Sequence, residues 1–79
     1  MSRFESNLLK AINAEVSATR RAVLRLAWAA YRVRVGDAFA ARGVVSEIRS
    51  QYSNHYDAQI FAHINFVEGL CEFFEGGIE

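Results

Sequence analysis

The sequence predicts an all-α domain of four helices arranged as short antiparallel αα-hairpins, without strands. Three observations carry that expectation. Proline is absent from all 79 residues, which suits helices and argues against a turn-rich β sandwich. Apolar residues recur at i, i+3, i+4 and i+7 along most of the chain, the period of an amphipathic helix. The pattern breaks only briefly, around Ser17, at Gly36-Asp37 and at Ser53-Asn54-His55. Links that short favour antiparallel neighbours.

The first helix is predicted over Arg3 to Ala14, with Phe4, Leu8, Leu9 and Ile12 as its apolar stripe. Ser17 is placed to cap a second helix running to Val35, its hydroxyl accepting an orphan backbone N–H. Leu24, Ala27, Trp28, Tyr31 and Val35 fall on one side of that helix, and Val23, Leu26, Ala30 and Val33 widen the arc past half the circumference. A helix so apolar must be covered on two sides, which makes it the central one. Gly36 suits the left-handed helix terminus, and Asp37 caps a third helix from Ala38 to about Tyr52, with Ala41, Val45, Ile48 and Tyr52 in register. Asp57 caps a fourth helix from Ala58 to about Glu75, and Gly76-Gly77 ends it.

Composition narrows the function. The chain is 52% hydrophobic with 13% aromatics, which suits one small folded domain over residues 1–79 and excludes a disordered tail. A single cysteine, Cys71, rules out an internal disulfide. The longest apolar run, Leu26 to Tyr31, is far shorter than the roughly 20 residues of a membrane span. The start, Met1-Ser2-Arg3-Phe4-Glu5, lacks a signal-peptide core, so a cytoplasmic location with no membrane partner is expected. The zero net charge hides a separation. All nine basic residues lie at or before Arg49 with four acids, a net +5, whereas Ser50 onward carries five acids and no base. That division fits complementarity between neighbouring helices, a basic ligand site, or an acidic docking face.

No catalytic, cofactor or metal constellation emerges, so the chain reads as non-enzymatic. His63 and Cys71, eight apart on one predicted helix, lie too far apart along it to share a zinc ion. Cys71, among Val67, Leu70 and Phe74, reads as a buried small hydrophobe. Arg21, Arg25, Trp28 and Arg32 fall within about 60° of one another on the second helix, at about 100° per residue. Such a face can bind phosphate and nucleic acid, or it can cover the core edge and pair with internal acids; the second reading is preferred. On the fourth helix Asn65, Glu68, Glu72 and Glu75 cluster on one side, while an apolar arc through Leu70 leaves Phe66 and Phe73 at its margin. Unless the first helix folds back over those rings, they form an interaction patch, with Glu68 and Glu72 tuning the rate of association.

A 40-residue offset places Ala22 on Ala62, Leu24 on Ile64, Leu26 on Phe66, Ala27 on Val67, Ala29 on Gly69, Val33 on Phe73 and Gly36 on Gly76. With Ala29, Gly36, Asp37, Ala38 and Ala41 at small-residue and turn positions, this resembles tetratricopeptide-like helical hairpins. The offset exceeds that family's roughly 34 residues, and its closing proline is missing. On this pattern the second repeat lacks its partner helix, so the chain reads as the N-terminal module of a longer protein. The segment from Arg20 to Arg32, with its Gly36-Asp37 turn, also resembles the short N-terminal domain of RpfR-type receptors of diffusible fatty-acid signals, which contain cyclic-di-GMP domains. That resemblance implies a role in bacterial quorum-sensing signal transduction. Its partner would be an RpfF-type acyl-CoA hydratase/thioesterase-like synthase, whose activity docking would restrain. The expected function is therefore protein–protein docking, with homodimerisation or a basic-face nucleic-acid-binding regulator as alternatives.

Overall fold

The computed structural model describes residues 2–75. Among them are four helices and no strand: α1 Arg3–Ala14, α2 Ala18–Arg34, α3 Ala38–Gln51 and α4 Ala58–Glu75. Local sequence sets each start. The Ser2 hydroxyl accepts from the Glu5 amide at 3.1 Å and Ser17 from the Arg20 amide at 3.3 Å. Asp37 and Asp57 accept from the Ala40 and Ile60 amides, both at 3.1 Å. The α2 terminus closes around Gly36 at φ +93°, where the Asp37 amide reaches the Arg32 carbonyl and the Gly36 amide reaches that of Val33. This is the Schellman pairing, and the positive φ is why glycine stands there. The predicted Gly76-Gly77 stop lies outside the described residues.

Side-chain pairs across the helices give their directions. Glu5 meets Trp28 and Arg32, while Arg21 near the start of α2 reaches Glu15 just after α1, so α1 and α2 are antiparallel. Arg42 pairs with Glu75 and Arg49 with Glu68, so α3 and α4 are antiparallel too. α2 touches all three other helices, α3 and α4 also touch each other, and α1 packs on α2 alone. The central role expected of the second helix is what the packing shows. The slab measures 40 × 33 × 16 Å, its thin dimension allowing no more than two helices across.

The buried seam is aliphatic. It is built from Ala22, Leu26, Ala29 and Val33 of α2, Ala41, Val44, Val45 and Ile48 of α3, and Ile60, Ile64, Val67 and Cys71 of α4. The α2 stripe differs in phase from the expected one. Ala27 and Val35 are exposed and Leu24 only half-buried, while Ala22 and Ala29 point inward. A 38-residue offset, not 40, superposes the buried quartets: Ala22 on Ile60, Leu26 on Ile64, Ala29 on Val67, Val33 on Cys71. At 40 residues, buried Leu26 and Val33 fall on exposed Phe66 and Phe73. Two residues turn a helix by about 200°, so the matching of small residues follows the caps and inverts the packing faces. Gly69 is likewise no close-crossing site within the chain, because a Cβ there would meet nothing within 4 Å.

Leu26→Ala and Ile64→Ala should each cost about 2–5 kcal/mol in chemical denaturation, because both side chains are enclosed on all sides. Leu24→Ala should cost well under half as much. Gly69→Ala, on an open helical face, should add about 0.5–1 kcal/mol. Equal losses at Leu24 and Leu26 would refute the observed phase of α2.

Candidate interaction surface

The arginine–tryptophan face of α2 is turned toward the protein's own acids. Glu5, in the first turn of α1, is 6% exposed and is the one buried charged residue among those described. One carboxylate oxygen accepts from the Trp28 indole N–H at 2.9 Å and from Arg32 Nη1 at 3.0 Å. The other arm of Arg32 donates to Asp37 at 2.9 Å, and its guanidinium lies 5.8 Å from the Trp28 ring centre. Arg25 pairs with Glu47 of α3, and Arg21 donates to the Glu15 main-chain carbonyl. Each cationic head of the predicted basic face thus has an internal acceptor. Phe4 and Tyr31, with ring centres 5.3 Å apart, complete the α1–α2 contact.

These contacts fix protonation. The Arg32 guanidinium, aided by the Ala40 amide, holds the Asp37 carboxyl below its ordinary value, and Arg32 is itself raised, chiefly by Asp37. Arg25 does the same for Glu47. Burial pushes the Cys71 thiol up, so the neutral, unreactive form prevails near neutrality.

The acids of α4 are engaged in the same way. Glu68 binds Arg49 and Glu75 binds Arg42, so two of the five acids after Ser50 pair across the α3–α4 interface. Glu72 is exposed and has no ion-pair partner among the described residues. The other flank of α4 is apolar and open. Phe66 is 56% exposed, Phe73 59% and Phe74 51%, and Phe73 meets Phe74 edge-on at 5.2 Å. Leu70 is half-buried against the core behind them. α1 does not fold back over these rings; only Phe4 at its start comes near, sharing a cleft of about 210 Å³ with Phe66, Ala27, Ala30, Tyr31 and Arg34.

The expected site residues therefore form two surfaces. Arg21, Arg25, Trp28 and Arg32 make inward contacts, occupied by the carboxylates of Glu5, Asp37 and Glu47 and by the Glu15 main-chain carbonyl. Phe66, Phe73 and Leu70 line the free flank of α4. His63 donates its Nδ1 hydrogen to the Gln59 carbonyl at 2.9 Å and borders a further cleft with Ala62 and Phe66. No group of three or more histidine, cysteine or acidic residues among those described is arranged to hold a metal. No described helix is long and apolar enough to cross a membrane. Compared with protein-family models, curated proteins and solved structures, the chain gives no significant match.

Glu5→Ala removes the acceptor shared by Trp28 and Arg32, the one buried polar contact between α1 and α2 among the described residues. Hydrogen exchange should show α1 amides losing most of their protection while α2 to α4 keep theirs. Trp28 fluorescence should shift to the red. A second expectation concerns pH. Because the folded Asp37 pKa lies below the ordinary 3.8, its stabilising effect is full above that value and disappears as pH falls through the lower folded one. Asp37→Asn should therefore flatten the acid limb of stability below about pH 4. An unchanged limb in urea titrations would place the acid sensitivity elsewhere.

Proposed function

We propose that the chain is a non-enzymatic protein-docking module whose contact surface centres on Phe66, Phe73 and Phe74 of α4. The observation that carries this is the placement of the aromatics. Trp28 and Tyr52 sit at the core edge, Phe39 of α3 is exposed and Tyr56 stacks on Phe61, while three phenylalanines crowd one free flank of a single helix. Each half-exposed ring forgoes about half of the roughly 1.5–3 kcal/mol of full burial, which a partner surface can supply. Clustered apolar exposure of this kind marks interaction sites, and large side chains at the centre of an interface carry most of its energy. A nucleic-acid role has no such support, since Arg25 and Arg32 are occupied by acids.

The resemblance to RpfR-type receptors suggests a cytoplasmic setting and a first probe, the RpfF-type synthase, with the chain acting in cyclic-di-GMP and diffusible-signal transduction. In titrations of purified synthase, Phe66→Ser with Phe73→Ser should weaken binding at least a hundredfold and leave helical circular dichroism unchanged. Reversing Glu72 to lysine should act on the association rate and fade at high salt. Wild-type binding that survives the double serine substitution would remove the aromatic surface from the interface. Self-association that rises with concentration and is lost in the same variant would identify the surface as a dimer contact instead.

A further inference from the structure

Two clefts lie along α2, one of them beside Phe66, and their charges say what fits across them. One is the cleft bounded by Phe4 and Phe66, with Arg34 at its mouth. The other is a cleft of about 240 Å³ where α2 passes the start of α4, lined by Leu24, Gln59, Arg20 and Glu15, the last with its carboxylate accepting from the Ser17 amide. Between them the α2 surface offers Val23, Ala27 and Ala30, a smooth floor of small apolar side chains. Arg20 and Arg34 stand fourteen residues apart on one helix, about 21 Å at 1.5 Å per residue. Neither has an ion-pair partner among the described residues, unlike Arg25, Arg32, Arg42 and Arg49.

We propose that these clefts form one groove that receives an amphipathic α-helix of a partner protein, about four turns long, with an apolar stripe on the α2 floor and acidic residues at both ends meeting Arg20 and Arg34. The inference rests on the docking reading and specifies its partner. A groove flanked by α1 and α4 has the form of a helix site, and apolar anchors at i, i+3/4 and i+7 are how such grooves are read. Charge complementarity selects an acidic helix, since Arg20 and Arg34 line the two ends and the one acid of the lining, Glu15, is engaged by the Ser17 amide. It also argues against a second copy of this chain. Glu5, Asp37, Glu47, Glu68 and Glu75 are in ion pairs, and Glu15 and Asp57 accept from the backbone amides of Ser17 and Ile60. Only Glu72 among the described acids is left, and one carboxylate cannot serve both ends of a 21 Å site.

The probe is a display library of 18-residue helix-forming peptides with randomised faces, selected on the 79-residue chain. The expected winners carry an apolar stripe with Asp or Glu near both ends. Their affinity should fall at least tenfold in Arg20→Glu with Arg34→Glu, less so at high salt. It should also fall at least tenfold in Ala27→Trp, which fills the groove from an exposed position. Circular dichroism controls for folding, and sedimentation tests for a second copy. Winners that are neutral or basic, or that bind Ala27→Trp as well as wild type, overturn the acidic-helix groove; if they still need Phe66 and Phe73, the docking reading stands. Concentration-dependent dimers abolished by Ala27→Trp overturn it in favour of a second copy. A library that yields no binder sinks both readings.

Discussion

The seam joining α2, α3 and α4 is one layer of small and medium aliphatic side chains, and the rest of the molecule follows from that thinness. Leu26, Ile48, Ile60 and Ile64 are its largest members, and alanines at positions 22, 29 and 41 let the helices approach closely. A slab 16 Å thick has no interior pocket for a phenylalanine. Bulky rings stand at the rim, where Trp28, Tyr52 and Phe61 lean against the core, or beyond it, where Phe39 of α3 and the α4 trio Phe66, Phe73 and Phe74 are exposed. The same close packing that makes so small a core cohesive also produces the apolar surface that calls for a partner.

Polar contacts then determine how the outer elements attach. α1 has no place in the seam, and its Leu8, Leu9 and Ile12 are only half-buried. It is held on α2 by a buried carboxylate shared between an indole and a guanidinium, with the Phe4–Tyr31 rings and the Ser2–Tyr31 and Arg21–Glu15 hydrogen bonds at its two ends. A buried acid with two donors is well satisfied, but removing it strands both, so α1 is attached through a contact that is specific more than it is strong. Across α3 and α4 the arrangement is reversed. There the apolar seam supplies cohesion, and the half-exposed pairs Arg42–Glu75 and Arg49–Glu68 add little energy while fixing register.

The helices and their limits were legible in the sequence because capping is local chemistry. Ser17, Gly36, Asp37 and Asp57 act where their side chains or backbone freedom require. The core of α3 was legible for a related reason: Ala41, Val45 and Ile48 form one stripe with polar residues on the other side. The phase of α2 was not. Its alanines, valines and leucines run nearly all round, so periodicity selects no face, and only packing against α4 shows that Ala22 and Ala29 point inward. Glu5 was missed although it sits within the stripe of Phe4, Leu8, Leu9 and Ile12, a position where a carboxylate must find donors. The exposed margin of α4 was legible from the width of its apolar arc, because one neighbouring hairpin cannot cover it.

The two surfaces of α2 and α4 carry different kinds of energy, which is why they can serve different ends. On the Trp28 side Arg25 and Arg32 are paired with internal acids and Arg21 donates to a main-chain carbonyl, so bringing a nucleic acid or an acidic protein onto Arg25 and Arg32 would mean breaking pairs already made. On the Phe66 side the apolar surface is unmatched, and covering it displaces only water. Binding there also feeds back on the fold. A ligand present at 100 times its dissociation constant adds about 2.7 kcal/mol to the stability of the state it binds. For a domain of this size, whose stability alone lies at the low end of the 5–15 kcal/mol range, that is a large share. Docking on the α4 flank would thus reinforce the thin seam behind it, since Leu70 of the same helix packs against the core.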